Sequence, residues 1–192
     1  GFSIVSYTGT GSNATIGHGL GVVPKVVIIK ELNGTNNWLM SHQPLSASLG
    51  DYTRFMTLNS DSAVSGAGNV VFQGSAFTSS VFNVGTSVGS NGSSQNFIAY
   101  CFADVQGYSK FSTYKGNNQI GNSAPFIYTG FTPAWLMVKK SSATNHWIIW
   151  DNKRSTKNGF NIIDRKLYAN LTNIENGLDD VSFLSNGFKL NT

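Results

Sequence analysis

Apolar residues in this chain come in short runs or alternations. KVVIIK from Lys25, NWLMSH from Asn37, SVFNVG from Ser80 and NFIAYCF from Asn96 all have the length of strands. They are rich in β-branched and aromatic side chains and too short for helices. Between them lie clusters such as NGT at Asn33, SNGSS at Ser90, KGNN at Lys115 and SNG at Ser185. There Gly and Asn supply turn conformations that other residues resist. Turn signals recurring about every 8 to 12 residues predict an all-β chain, a β-sandwich of jelly-roll-like layout. Only the stretch from Lys157 to Leu171 has helical length, and the Asn and Gly residues within it favour loop plus strand.

The strand pattern repeats. GVVPKVVIIKELNGTNNWLM from Gly21 aligns without gaps on GFTPAWLMVKKSSATNHWII from Gly130. Gly21 meets Gly130, Pro24 meets Pro133, Lys30 meets Lys139, Thr35 meets Thr144, Asn36 meets Asn145 and Trp38 meets Trp147. GFSIVSYTG at Gly1 resembles GYSKFSTYKG at Gly107, and RFMTLN at Arg54 pairs more loosely with KLYANL at Lys166. The chain is therefore read as two related β repeats, residues 1–106 and 107–192. Each contains a hairpin, from Lys25 to His42 around the loop Asn33 to Asn36, and from Ala134 to Trp150 around the loop Ser141 to Asn145. The matched prolines open these strands, where a missing N–H costs no ladder bond. The matched Trp38 and Trp147 are expected to be core anchors. The first copy runs on through an Asn-Gly-Ser turn into QNFIAYCFADV, whereas the second reaches GFKLNT, so the second copy is expected to lack its closing strand.

Composition narrows the function classes. With 40% hydrophobic residues the 192-residue chain has enough apolar side chains for a core. Only 11% of residues are charged, against roughly 25% in an ordinary domain, so its surface rests on Ser, Thr, Asn and Gly. That is the surface of an adhesin or a virion protein. The +4 net charge is carried by scattered Lys and Arg, with no run longer than two, so no nucleic-acid partner is expected. Cys101 alone makes neither a disulfide framework nor a cysteine zinc site, and its alternating context IAYCFAD suggests a small buried hydrophobe. No apolar run approaches the roughly 18 residues of a membrane helix, and no membrane insertion is expected.

Catalytic chemistry finds little footing. His18 sits between glycines in GHGLG, His42 ends the Trp38 strand, and His146 precedes Trp147. In the other copy Asp151 stands at the place of His42 and Asn37 at the place of His146, which confines a nucleophile–histidine arrangement to one copy. Asp51, Asp61 and Asp164 fall in loop-like stretches, Asp104 follows a strand end, and Asp179-Asp180 read as turn residues, so no glycosidase pair stands out. The piece GTGSNATIGHGLG at Gly9 lacks Walker spacing and opens no helix, so it reads as a turn. The chain is expected to be no enzyme and to use neither cofactor nor metal. Its four Asn-X-Ser/Thr tripeptides, at Asn13, Asn33, Asn91 and Asn170, are what such a composition produces by itself.

Carbohydrate binding has more support, because sugar faces stack on exposed aromatics while polar side chains fix hydroxyls. Trp135 and Trp150 have no Trp counterpart in the first copy, which makes them the candidates for a surface patch. Asp151 and Arg154, in the Asp-Asn-Lys-Arg turn after Trp150, join them as candidate polar contacts, with a local ion pair as their simpler role. A depolymerase that cuts polysaccharide and a free lectin or adhesin are the competing readings.

The phrases ATIGHGLGVVPKVVIIK, NNWLMSH, VGTSVGSNGSSQNFIAYCFADVQGYSKF, YTGFTPAWLMVKK and FLSNGFKL resemble a repeat domain of virion structural and tail-fibre-type proteins of tailed bacteriophages, especially marine and cyanobacterial phages. The resemblance implies a β-rich module exposed on the virion surface. It implies other virion proteins as partners, a homo-oligomer such as a trimer, and contact with host-surface glycans. It brings no catalytic motif.

Overall fold

The computed structural model describes residues 1–49, 51–66, 68–157, 161–177 and 180–191. Strands dominate it: β1 (Phe2–Thr8), β2 (Ala14–Gly17), β3 (Val26–Glu31), β4 (Leu39–His42), β5 (Arg54–Thr57), β6 (Ser65–Gly66), β7 (Val81–Val84) and β8 (Asn96–Phe102). They continue as β9 (Phe126–Tyr128), β10 (Trp135–Val138), β11 (Ile148–Asp151), β12 (Ile162–Ile163), β13 (Lys166–Tyr168), β14 (Val181–Leu184) and β15 (Gly187–Leu190). Among the described residues two short α-helices interrupt them, α1 (Gln43–Leu49) and α2 (Val88–Asn91). The chain divides into two compact units. The first is Gly1–Val105, Ser109–Thr113 and Ser141–Thr144; the second is Gln106–Tyr108, Tyr114–Lys140 and Asn145–Thr192.

In the first unit a six-stranded antiparallel sheet runs β1-β8-β3-β4-β5-β6, and a two-stranded sheet pairs β2 with β7. Alternation along each strand sends one set of side chains between them. Val27 and Ile29 of β3, Phe97, Ala99 and Cys101 of β8, and Phe82 and Val84 of β7 meet there with Val71, Phe72 and Phe77. Cys101 is fully buried, and burial pushes its thiol up to about 12. It behaves as the small hydrophobe its context suggested.

A buried amide closes one end of this unit. Asn91 is completely buried in α2, and its Nδ2 donates to the carbonyls of Ser12 at 2.6 Å and Gly85 at 2.8 Å. Its Oδ1 accepts from the Thr10 N–H at 2.9 Å. The Gly9 segment is thus a turn stapled by a side chain some eighty residues away. A buried amide with its hydrogen bonds satisfied fixes loop geometry, whereas an unpaired one would cost about 1–3 kcal/mol.

The helices depart from the expectation that strands alone would form. In α1 the proline, Pro44, lies in the first turn, where its missing N–H has no helical partner to lose. His42 Nδ1 accepts from the Leu45 N–H at 3.4 Å, capping that turn. Ser87 caps α2 through its side chain on the Gly89 N–H.

The second unit has a three-stranded sheet, β10-β11-β13, and a four-stranded sheet, β12-β14-β15-β9. Trp150, Ile127, Ile163, Val181, Phe183 and Phe188 form its core, flanked by Leu136, Val138 and Ile148. Lys166 and Asp180 make a largely buried ion pair at 2.5 Å. The stretch from Lys157 contributes β12 and β13 and no helix in its described part; Asn158 to Phe160, and likewise Asp179, lie outside the described residues.

β3-β4-β5 and β10-β11-β13 are both antiparallel meanders with the hairpin first. Asn59 Oδ1 accepts from the Trp38 N–H at 3.1 Å, and Asn170 Oδ1 accepts from the Trp147 N–H at 3.0 Å. The same two amides reach Asn37 Oδ1 and His146 Nδ1. Lys30 and Lys139 each donate to the carbonyl of the following residue. The paired tryptophans, however, differ. Trp147 is 2% exposed, while Trp38 is only half-buried and lies over Tyr100 with ring centroids 6.2 Å apart. Trp38 therefore does not anchor the first core.

Candidate functional site

The candidate residues of the second unit separate according to strand alternation. Trp135 pairs with Asp151 across β10 and β11, and Leu136 pairs with Trp150. Neighbours along a strand point to opposite faces, so Trp135 and Trp150 cannot share a patch. Trp150 is 4% exposed and lies in the core beside Leu136, Val138 and Ile148, so its assignment to a surface patch is corrected. Trp135, by contrast, is 56% exposed.

Trp135 does not stand alone on its face. Register places Met137 beside it on β10, Ile149 and Asp151 on β11, and Leu167 on β13. Directly opposed residues in such a pair have Cβ atoms roughly 5 Å apart, so Trp135 and Asp151 stand side by side on this face. Asp151 is held by its own turn: its Oδ1 accepts from the N–H groups of Lys153 at 2.9 Å and Arg154 at 3.0 Å, and its Oδ2 accepts from Arg154 Nε at 2.5 Å. Burial alone would raise its pKa, but the hydrogen bonds from Arg154 and Lys153 and the guanidinium charge outweigh that and hold it below the usual carboxylate range. Arg154 Nη1 also lies 3.6 Å from Glu175 Oε1. The result is an exposed indole and an apolar row bordered by a fixed, charged, hydrogen-bonding edge.

The histidines are engaged elsewhere. His18 is 1% exposed; its Nδ1 accepts from the Leu20 N–H at 3.2 Å, so Nε2 carries the proton toward the Thr78 carbonyl at 3.1 Å. A ring bonded at both nitrogens holds a loop and is not aimed at an anion. His42 caps α1. His146 meets Asn170 and stands edge-on to Tyr168. Asp164 is nearly buried and accepts from the Ser155 hydroxyl, the Thr156 N–H and the Thr156 hydroxyl, which bring its pKa to about 2. Asp51 accepts from Thr53 and Arg54. Among the described residues no group of three or more His, Cys, Asp or Glu is placed to hold a metal ion, and no helix is long and apolar enough to cross a membrane.

A cleft of about 390 Å³ opens in the first unit, lined by Asn37, Phe55, Thr57, Ser62, Ser65 and Val88 among others. It includes none of the candidate residues. Its lining carries no charged side chain and no histidine, so the Trp135 face is the stronger candidate. Asn91 is fully buried and bonded, which removes its tripeptide as a glycosylation acceptor in the folded chain.

Fold and surface together define an all-β protein of sandwich type whose candidate site is an aromatic sheet face. The chain belongs to the DUF7483 family, a domain of unknown function, whose pattern matches residues 1–192. No curated protein and no solved structure matches it.

Proposed function

We propose that this chain is a non-enzymatic module of a bacteriophage virion, of tail-fibre or surface-appendage type, that contacts host-surface glycans through the Trp135 face. The observation that carries this reading is Trp135 itself. A large apolar ring left 56% exposed beside the fixed Asp151–Arg154 pair offers a stacking surface and directional polar groups at one place. That combination suits a saccharide, whose ring faces are apolar and whose hydroxyls need oriented partners. The weakly charged Ser, Thr and Asn surface agrees with a protein working in the open medium. On this reading the module is displayed on the particle, assembles as a homo-oligomer with other virion proteins, and needs no cofactor.

The test is a screen of host-surface polysaccharides that scores retention and chain length together. Retention without shortening is expected, with loss of retention in Trp135→Ala. Shortening of any glycan would establish a depolymerase instead, and retention unchanged in Trp135→Ala would move the site elsewhere.

A further inference from the structure

We propose that the cleft of the first unit is a separate binding site for one neutral sugar ring, free or at the end of a glycan chain. It does not depend on the Trp135 face. Its apolar part belongs to the first core: Leu39 and Val71 are buried there, and Phe55 packs half-buried against it. Val88, 67% exposed, stands at its mouth. The rest of the lining is largely amide and hydroxyl, from Asn37, Thr57, Ser62, Ser65 and Ser87.

Several of these polar groups have hydrogen-bonding capacity to spare. Asn37 Oδ1 accepts from Asn59 Nδ2 at 3.0 Å, while its own Nδ2 makes no bond among the described residues. Ser87 Oγ accepts from the Gly89 N–H at 3.2 Å, which leaves its proton to donate. The Ser65 hydroxyl has no partner among the described residues. A sugar ring asks for this mixture, an apolar bed for its face and donors and acceptors for its hydroxyls. Small-molecule sites run from about 300 to 1,000 Å³. At about 390 Å³ the cleft lies near the low end, which suits one ring and not a chain. Among the described residues no charged side chain lines it, so a carboxylate taken into it would lose water with no cation to pair with. The cleft therefore prefers neutral sugars to acidic ones.

The cleft is a feature of one copy. Asn37 aligns with His146, and Thr57, opposite Leu39, corresponds in register to Tyr168, opposite Ile148. In the second unit those two larger side chains meet edge to face, with ring centroids 5.8 Å apart. At the register position of Phe55 stands Lys166, held in its ion pair with Asp180. An amide and a threonine thus stand where the other copy has two rings in contact. The copy that holds the cleft has its own closing strand, β8, paired with β1 and β3, so the cleft is not the gap of a missing closing strand.

The probes are the methyl glycosides of glucose, galactose, mannose and N-acetylglucosamine, titrated into the intact chain, with glucuronic acid and cyclohexanol as controls. The readout is the methyl resonances of Leu39, Val71 and Val88, which report on the cleft and not on the Trp135 face. They are expected to shift and saturate with at least one glycoside, and to need roughly tenfold or more of either control for the same shift. Val88→Trp fills the mouth; it is expected to leave the melting transition in place and abolish the Leu39 and Val71 shifts. The wild-type titrations with both controls stand even if that variant unfolds. Repeating the titration with the same sugar at the end of an oligosaccharide separates the two sources, tighter binding assigning a chain end and weaker binding the free sugar. No shift with any of the four glycosides, equal shifts with either control, or shifts that persist in a folded Val88→Trp chain would each overturn the proposal.

Discussion

Acid should weaken this protein well before its carboxylates titrate, and His42 is the reason. Its ring is half-buried between the end of β4 and the start of α1, and its Nδ1 accepts from the Leu45 N–H, which only the neutral ring can do. Burial lowers its pKa from the usual 6.5 to about 4, with the charge of Asp104 opposing the shift in part. Between those two values the unfolded chain binds a proton that the folded chain does not, so stability falls as pH falls. Working from the two pKa values, the loss is about 2 kcal/mol between pH 7 and pH 5 and about 3 kcal/mol by pH 4. Urea melts of the wild type and His42→Ala at a series of pH values measure it. The wild type should lose midpoint steadily over this window, and the variant, weaker at pH 7, should hold nearly level. Parallel curves for the two proteins would refute the assignment.

Three further outcomes follow from the packing. Trp147→Ala and Trp150→Ala should each cost about 3–5 kcal/mol in denaturant melts, as deletions of buried aromatics do, and Trp38→Ala distinctly less because its ring is half-exposed. Trp135→Ala should leave stability within about 0.5 kcal/mol of wild type, as exposed positions usually do. Asp164 contributes stability that is full above the ordinary carboxylate range and is lost as pH falls toward its folded pKa of about 2, so Asp164→Asn should flatten the acid limb of a melting series in that range.

The strands were legible because their sequences carry both period and composition. NFIAYCF from Asn96 is β8 residue for residue, and the hairpin read around Asn33 to Asn36 is β3 and β4 in antiparallel register. α1 was not legible: QPLSASL has no apolar stripe long enough to show a helical period, and its stability comes from the His42 cap and from packing on β4 and β5. The Asn91 staple was equally hidden, since SNGSS looks like an ordinary turn and its partners at Thr10 and Ser12 are remote in sequence. Trp150 could have been placed from the hairpin. Once Trp135 is set opposite Asp151, Trp150 must face the core with Leu136. Identity between copies misled at Trp38, because burial depends on what covers a position as well as on the residue that fills it.

The central claim, that the Trp135 face receives a saccharide, is tested most directly by following the four tryptophan indole N–H resonances while a retained glycan is titrated in. The Trp135 signal should shift progressively with saturation while those of the buried Trp147 and Trp150 stay in place. A glycan that binds without moving the Trp135 resonance would contradict the account.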